Sequence, residues 1–327
     1  MNKTMLVILK ILDKYPDIVG SREISKQLRL YGIALTERTV RYHLKILDEM
    51  GFTEVFGKEG RKITQKGREE FKLALVSERV GFVISRIETL SYLTNLNLET
   101  MSGDIILNIS CIPEKRLMDA VKILRLIFSS PYVMSDRVII ARSGQMIGDI
   151  SVPRGMIGIG TVCSVTINGI FLKAGMPVIS KFGGVVEIYD GKPTRFISLI
   201  SYEGTSLDPH EIFIRGKMTD VLGAVRKKHG RILASFREIP IVCIDEAKAL
   251  AKKVSDAGIG GILIIGEPNS QLLEVPVGID KAGIVVVGGL NPVSALEESG
   301  IPTESVAMST LVSYSEMPSF RDSLHPF

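Results

Sequence analysis

Residues 36–52 read TERTVRYHLKILDEMGF, and residues 53–63 continue as TEVFGKEGRKI. Thr36 is a good N-cap, and Val40, Leu44, Leu47 and Met50 follow at spacings of four, three and three, which makes one helical face apolar. The opposite face presents Arg38, Thr39, Arg41, Tyr42 and Lys45, and Gly51 closes the helix. After it, Phe52–Phe56, a Gly57-Lys58-Glu59-Gly60 turn and Arg61-Lys62-Ile63 spell a short basic hairpin. Upstream, residues 4–15 (TMLVILKILDKY) align Met5, Ile8, Leu9 and Leu12 ahead of the stop at Pro16, and residues 21–28 (SREISKQL) open on Ser21 as another N-cap. Three short helices and a Gly-tipped hairpin are the order of a winged helix-turn-helix. That module lays its third helix in the major groove and its wing along the backbone.

Charge points the same way. Residues 1–75 hold 15 Lys+Arg against 10 Asp+Glu, a net +5, whereas the remaining residues hold 25 against 26, a net −1. A small basic module beside a near-neutral larger one is the pattern of a chain that meets a polyanion at one end only. Thr36, Arg38, Thr39, Arg41, Tyr42 and Lys45, with Arg61 and Lys62 in the wing, are the candidate DNA contacts.

At 327 residues and 45% hydrophobic, the chain has material for about two domains and a large core. Three scattered cysteines, Cys111, Cys163 and Cys243, provide neither a disulfide framework nor a zinc set. The N-terminal MNKTMLVILKILDKYPD is broken by charges, so no signal peptide is expected and the cytoplasm is the expected compartment. Residues 155–172 (GMIGIGTVCSVTINGIFL) carry no charge, but four glycines and the alternation from Thr161 to Ile167 predict a buried sheet segment rather than a membrane span.

The expected domains are a winged helix at 1–75, a linker helix at 76–99 and an α/β domain at 100–327. The linker belongs to a helical stretch over 69–93, whose Phe82, Ile84, Ile87 and Leu90 need a partner, either their own domain or a second subunit. Beyond residue 100, strands are expected at 104–111, 137–141, 212–214, 231–236 and 261–265. Helices are expected at 113–128, 219–228 and 245–257, giving a mixed α/β (α+β) class. An internal repeat runs through this part. Val152-Pro153-x-Gly155 returns as Val275-Pro276-x-Gly278, and at the same offset Gly160 matches Gly283 and Asn168 matches Asn291. Gly175-x-Pro177 returns as Gly300-x-Pro302. Two similar halves around a pseudo-two-fold axis are expected, with a ligand cleft between them.

Enzymatic constellations are missing. No phosphate loop occurs, and the glycines of Asp256–Ile265 follow a helix and precede a strand, the reverse of a dinucleotide site. His43, His210, His229 and His325 have no metal spacing, and Cys163 has no neighbouring base in sequence. Two segments fit a small-anion pocket. One runs from Gly158 to Gly169 and offers Thr161, Cys163, Ser164, Thr166 and Asn168, with Lys173 as the cation; the other offers Ser206 and Asp208. A ligand-responsive DNA-binding repressor, with no catalysis and no cofactor, is the leading reading. An α/β enzyme recruited to nucleic acid by the winged helix, or a partner-binding adaptor, are the alternatives.

The winged helix together with GIGTVCSVTINGIFLKAGMP (158–177), KFGGV (181–185), GTSLDPHEIF (204–213) and ASFREIP (234–240) resembles the NrpR family, the archaeal nitrogen-responsive transcriptional repressors. The resemblance spans nearly the whole chain. It implies dimeric binding to operators of nitrogen-fixation and ammonium-assimilation genes, relieved by the dicarboxylate 2-oxoglutarate. Some members carry two copies of the effector domain, whereas this chain has room for one, which adds a second chain of the same family to the expected partners.

Overall fold

The structure is a computed structural model, which describes residues 3–15, 17–73 and 81–324. The chain divides into two compact units, residues 1–79 and 80–327.

In the first unit, α1 (Lys3–Lys14), α2 (Ser21–Leu30) and α3 (Glu37–Glu49) precede a hairpin of β1 (Thr53–Phe56) and β2 (Gly60–Ile63), then α4 (Gln65–Leu73). Ile8, Leu9, Leu12, Ile24, Leu28, Val40, Leu44, Leu47 and Ile63 form its core. Val19 bridges Arg61 by paired backbone hydrogen bonds of 2.9 and 3.0 Å, and the bridge fixes Gly60. A Cβ there would lie 2.3 Å from the Val19 carbonyl oxygen. Thr36 caps α3 as expected, accepting from the Thr39 N–H. Ser21 does not cap α2: Gly20 precedes the helix, and the Ser21 hydroxyl is committed to α3 instead. Met50 lies past the end of α3 and is 38% exposed, so the apolar face stops at Leu47. Pro16 lies outside the described residues.

The second unit begins with α5 (Phe82–Leu93), β3 (Asp104–Pro113), α6 (Leu117–Phe128), β4 (Val138–Ala141), β5 (Met146–Ile147), β6 (Ile150–Ser151), β7 (Met156–Val162), α7 (Val165–Lys173), β8 (Ile179–Tyr189) and β9 (Lys192–Ser201). It continues with α8 (Pro209–Arg215), α9 (Val221–Lys227), β10 (Gly230–Pro240), α10 (Ile244–Asp256), β11 (Ile262–Ile265), β12 (Lys281–Val287), α11 (Asn291–Glu298), β13 (Glu304–Ser313) and α12 (Phe320–Ser323). Two large antiparallel sheets result, ordered β13-β3-β7-β4 and β11-β12-β10-β8-β9, and β5 and β6 pair as a separate hairpin.

The repeat is the organising feature. From β3 to β8 and again from β10 to β13 the chain runs strand, 3-10 turn, helix, strand, Val-Pro-x-Gly, strand, helix, Gly-x-Pro, strand. The final strand of each half pairs with the first strand of the other, β8 with β10 and β13 with β3, so the halves are interlocked. The ladders also correct the alignment of the halves. Pro113 faces Met156 as Pro240 faces Lys281, an offset of 127 in the first strand and 125 in the second. Gly283 therefore corresponds to Gly158, not Gly160, and Asn291 to Thr166, not Asn168. The hydrogen bonds agree. Thr166 Oγ1 accepts from the Ile106 N–H at 3.3 Å, and Asn291 Oδ1 accepts from the Leu233 N–H at 2.8 Å.

Three sequence expectations are overturned here. The strand expected over 161–167 stops at Val162, and α7 takes over from Val165. Residues 165–171 are all buried, so the helix shows no amphipathic period, and its β-branched residues imitate a strand. Its close partner is α5, because a Cβ on Gly169 would sit 2.5 Å from Thr94 Cβ. The strand expected at 212–214 is part of α8, which Asp208 caps and Pro209 starts. The helical stretch over 69–93 is not one helix: α5 begins after Gly81 in a left-handed conformation (φ 80°), and residues 74–80 lie outside the described ones. Val83 and Ile87 pack with Ile106, Cys163, Val165, Tyr202 and Met308, so α5 buries its apolar face within the second unit. Among the described residues no helix is long and apolar enough to cross a membrane.

Candidate functional site

The first unit offers a surface and the second a buried cluster. On α3, Thr36, Arg38, Arg41, Tyr42 and Lys45 are exposed and Thr39 is half-buried, so the structure brings the predicted helix residues onto one face. Arg41 is not a free cation. It pairs with Glu37, and its Nε donates to Ser21 Oγ at 3.1 Å, while Ser21 donates to Glu37 Oε1 at 2.9 Å. These contacts tie the start of α2 to the start of α3 and hold the Glu37 carboxyl below its usual range, the Ser21 hydroxyl contributing most. Lys45 lies 3.9 Å from Glu49, a loose and exposed pair. Arg38 and Tyr42, the latter 63% exposed, are the freest donors.

The wing differs from expectation at Arg61. Its Nε donates to both Asp48 oxygens, at 2.9 and 3.2 Å, and its side chain is only 19% exposed. Asp48 also accepts from the Thr53 hydroxyl at 2.5 Å. Arg61 therefore clamps the wing to α3 through its Nε. Lys62 is half-buried, whereas Lys58 is exposed at the turn and is the wing cation that sequence reasoning passed over. Its position at the tip of a glycine-flanked turn was the available signal.

In the second unit, Cys163, Ser164 and Asp208 meet around a small cavity of about 10 Å³, completed by Asn108, Tyr202, His210, Gly289 and Met308. That volume holds roughly one water. Thr161 is buried and donates to the Gly289 carbonyl at 2.9 Å, and Thr166 is spent on Ile106 as described. Asn168 is buried and donates to Ser180 Oγ at 2.9 Å, leaving its Oδ1 without a partner. Asp208 caps α8, accepting from the His210 N–H at 2.9 Å. Ser206 is half-buried in the loop before it. Lys173 is not brought to this cluster: it is exposed at the last turn of α7, with Nζ 4.9 Å from the Tyr92 ring centroid.

The cation beside the cluster is Arg237 on β10. It is 1% exposed and opposite Ser180, the residue to which Asn168 donates. Its Nη2 donates to Ser235 Oγ at 3.1 Å, while Nε and Nη1 have no partner. No carboxylate lies within ion-pair distance of it among the described residues. Burial pulls its pKa down to about 10, with Tyr202 and Cys163 favouring the charged form, so it remains a cation at neutral pH. Burial also pushes the Cys163 thiol up to about 12, so this cysteine is no thiolate nucleophile. Tyr202 reaches the cluster because Gly183 has no side chain: a Cβ there would be 3.0 Å from the Tyr202 hydroxyl and 2.6 Å from Pro209 Cβ. The equivalent of Arg237 in the other half is Ser110, satisfied by donating to Ser305 Oγ at 2.9 Å, so the fold itself does not require an arginine. The adjacent charges Arg237 and Glu238 in the otherwise uncharged stretch 232–244 were the signal in the sequence.

The model of the NrpR regulatory domains NRD1 and 2 matches residues 80–319. The chain belongs to the NrpR family. A ribonuclease R winged-helix model matches residues 6–71. The global nitrogen regulator NrpRI of Methanosarcina mazei is 40% identical, over 97% of this chain and 98% of its own length. The global nitrogen regulator NrpR of Methanocaldococcus jannaschii is 32% identical over 95% of this chain, which spans 54% of that longer protein. A crystal structure of a nitrogen repressor-like protein from Methanococcus jannaschii, 34% identical, covers 73% of this chain and 98% of its own, with a TM-score of 0.62.

Proposed function

We propose that this NrpR-family chain represses nitrogen-assimilation and nitrogen-fixation genes by binding operator DNA as a dimer, and that 2-oxoglutarate releases it. DNA contact falls to the exposed side of α3, with Arg38, Tyr42 and Lys45 facing the groove and Lys58 the backbone. A single short recognition helix reads one half-site, which is the reason to expect two copies on a palindrome.

The observation that carries the sensing half is Arg237, a buried cation with two unpartnered nitrogens and no carboxylate in reach among the described residues. A buried charge without a counter-ion is costly, and an entering carboxylate relieves it. A cavity of about 10 Å³ has no room for a five-carbon dicarboxylate, so binding has to part the Cys163–Ser164 turn, Tyr202 and Met308. Ligand entry is thus coupled to a conformational change, and a tenfold loss of DNA affinity needs only about 1.4 kcal/mol of that coupling.

The test is fluorescence anisotropy of the full chain on an operator fragment from a nitrogen-assimilation promoter, titrated with 2-oxoglutarate, glutarate and succinate. Release by 2-oxoglutarate at lower concentration than by the other two is expected. No shift with any of them, alone or with a second family chain present, removes the sensing role. Sedimentation as a monomer that binds the operator at full affinity removes the dimer.

A further inference from the structure

A groove of about 750 Å³ in the second unit lies over β13 and α8, on the other side of Ala307 and Met308 from the Cys163 cavity. Three cations, Arg86, Arg215 and Lys217, and three carboxylates, Glu211, Glu297 and Glu304, line it. None of the six forms an ion pair with another among the described residues. Arg86, Glu211 and Glu297 are half-buried and each is held by hydrogen bonds to backbone or to Thr303, so charges of both signs are fixed around the groove without neutralising one another.

The repeat shows that this space is left open by the sequence rather than by the fold. In the other half, Phe236 and its ladder partner Phe182 occupy the matching sheet positions, and Phe196 of β9 covers them, its ring 6.1 Å from that of Phe236. Here the pair is Ile109 and Val306, with no counterpart of β9 among the described residues, and Val306 is 57% exposed. An added strand does not fit the vacant edge. The Ala307 N–H already donates to Glu211 Oε1 at 2.7 Å, and the Met308 and Ser309 carbonyls already accept from Arg86, at 2.8 Å (Nε) and 3.1 Å (Nη2). Those two bonds also hold the guanidinium rigid, and its Nη1, which makes no hydrogen bond among the described residues, is left to receive an anion. Met308, in a left-handed conformation (φ 51°), sits at the bulge that this arginine secures.

We propose that the groove binds a small amphoteric metabolite, an α-amino acid in chemical class. Its carboxylate lies on Arg86, its ammonium among Glu211, Glu297 and Glu304, and its side chain against Ile109 and Val306. The proposal rests on different charged residues from the 2-oxoglutarate reading, although the two sites adjoin at Met308, whose carbonyl accepts from Arg86 and which also lines the Cys163 cavity.

The full chain is titrated calorimetrically with each of the twenty standard amino acids, with propionate and ethylamine as singly charged controls. At least one amino acid binds one-to-one, neither control binds at the same concentration, and Arg86→Gln weakens binding at least tenfold. Because Arg86 also secures the β13 bulge, Val306→Phe is the second variant. It copies the aromatic plug of the other half at an exposed position, and it abolishes amino-acid binding while leaving the melting temperature and 2-oxoglutarate affinity unchanged. Absence of binding by every amino acid overturns the proposal, as does propionate binding as tightly or undiminished affinity in Val306→Phe. Loss of 2-oxoglutarate binding in Val306→Phe overturns the assignment of the groove as a separate site.

Discussion

Replacing Arg237 by Met separates a ligand-binding arginine from a structural one by the sign of its effect on stability. The side chain is fully buried, donates one hydrogen bond, and leaves two nitrogens unsatisfied. Methionine fills nearly the same volume without charge. If Arg237 awaits an anion, the ligand-free protein is relieved of a burial cost, and stabilisation of about 1–4 kcal/mol follows. The lost bond is minor, because Ser235 Oγ keeps its own acceptor, the Val286 carbonyl, at 3.4 Å. For a unit of this size that corresponds to a rise of roughly 2–16 °C in melting temperature, at about 2–4 °C per kcal/mol. Affinity for 2-oxoglutarate, deprived of a buried charge partner worth about 2–5 kcal/mol, falls by roughly 30-fold to more than a thousandfold. Calorimetric melting with and without 2-oxoglutarate reads both effects. A structural arginine predicts the reverse: destabilisation by about 3–5 kcal/mol with the ligand response intact. That outcome would refute the reasoning.

Combined Arg38→Ala, Tyr42→Phe and Lys45→Ala substitutions should weaken operator binding by about 1–3 kcal/mol for each side chain that reads a base edge, whereas Lys58→Ala should lower affinity evenly across sequences and reduce the salt slope by about one; a triple variant at full affinity in a binding isotherm would rule out α3 as the reading helix. Arg61→Ala should act on folding instead, costing the first unit about 1–3 kcal/mol in chemical denaturation through loss of a charged hydrogen bond, and a variant that melts normally but fails on DNA would return Arg61 to the phosphate contacts. Burial raises the Glu211 carboxyl above its usual 4.5, so its contribution to stability is complete below that value and is lost as pH climbs through the higher folded-state value. Glu211→Gln, which keeps an acceptor for Ala307, should flatten that part of the melting-temperature profile, and identical profiles for the two proteins would contradict the burial argument.

Local signals carried the first unit. Val40, Leu44 and Leu47 repeat at helical spacing and Thr36 caps the helix they belong to, so the amphipathic period and the cap specify α3 before anything packs against it. The repeat was legible too, because Val-Pro-x-Gly and Gly-x-Pro mark the same turns in both halves. Its register was not: the ladders place Thr166 against Asn291, and a two-residue slip cannot be seen where most positions are simply apolar. Nor could sequence distinguish α7 from a strand, because a helix buried on every side loses the polar face that marks its period. Site residues divide the same way. Arg61 reads as a wing cation until Asp48 arrives from α3, thirteen residues away, to hold it. Arg237 reads as one of three charges on its strand, beside Glu238, and only the interlocked sheets, which bring Asn168 and Ser180 from one half onto β10 of the other, leave it buried and without a counter-ion among the described residues. Periodicity and caps are local and survive in one dimension. Burial and charge pairing depend on residues far apart in sequence, so the tertiary structure alone decided them.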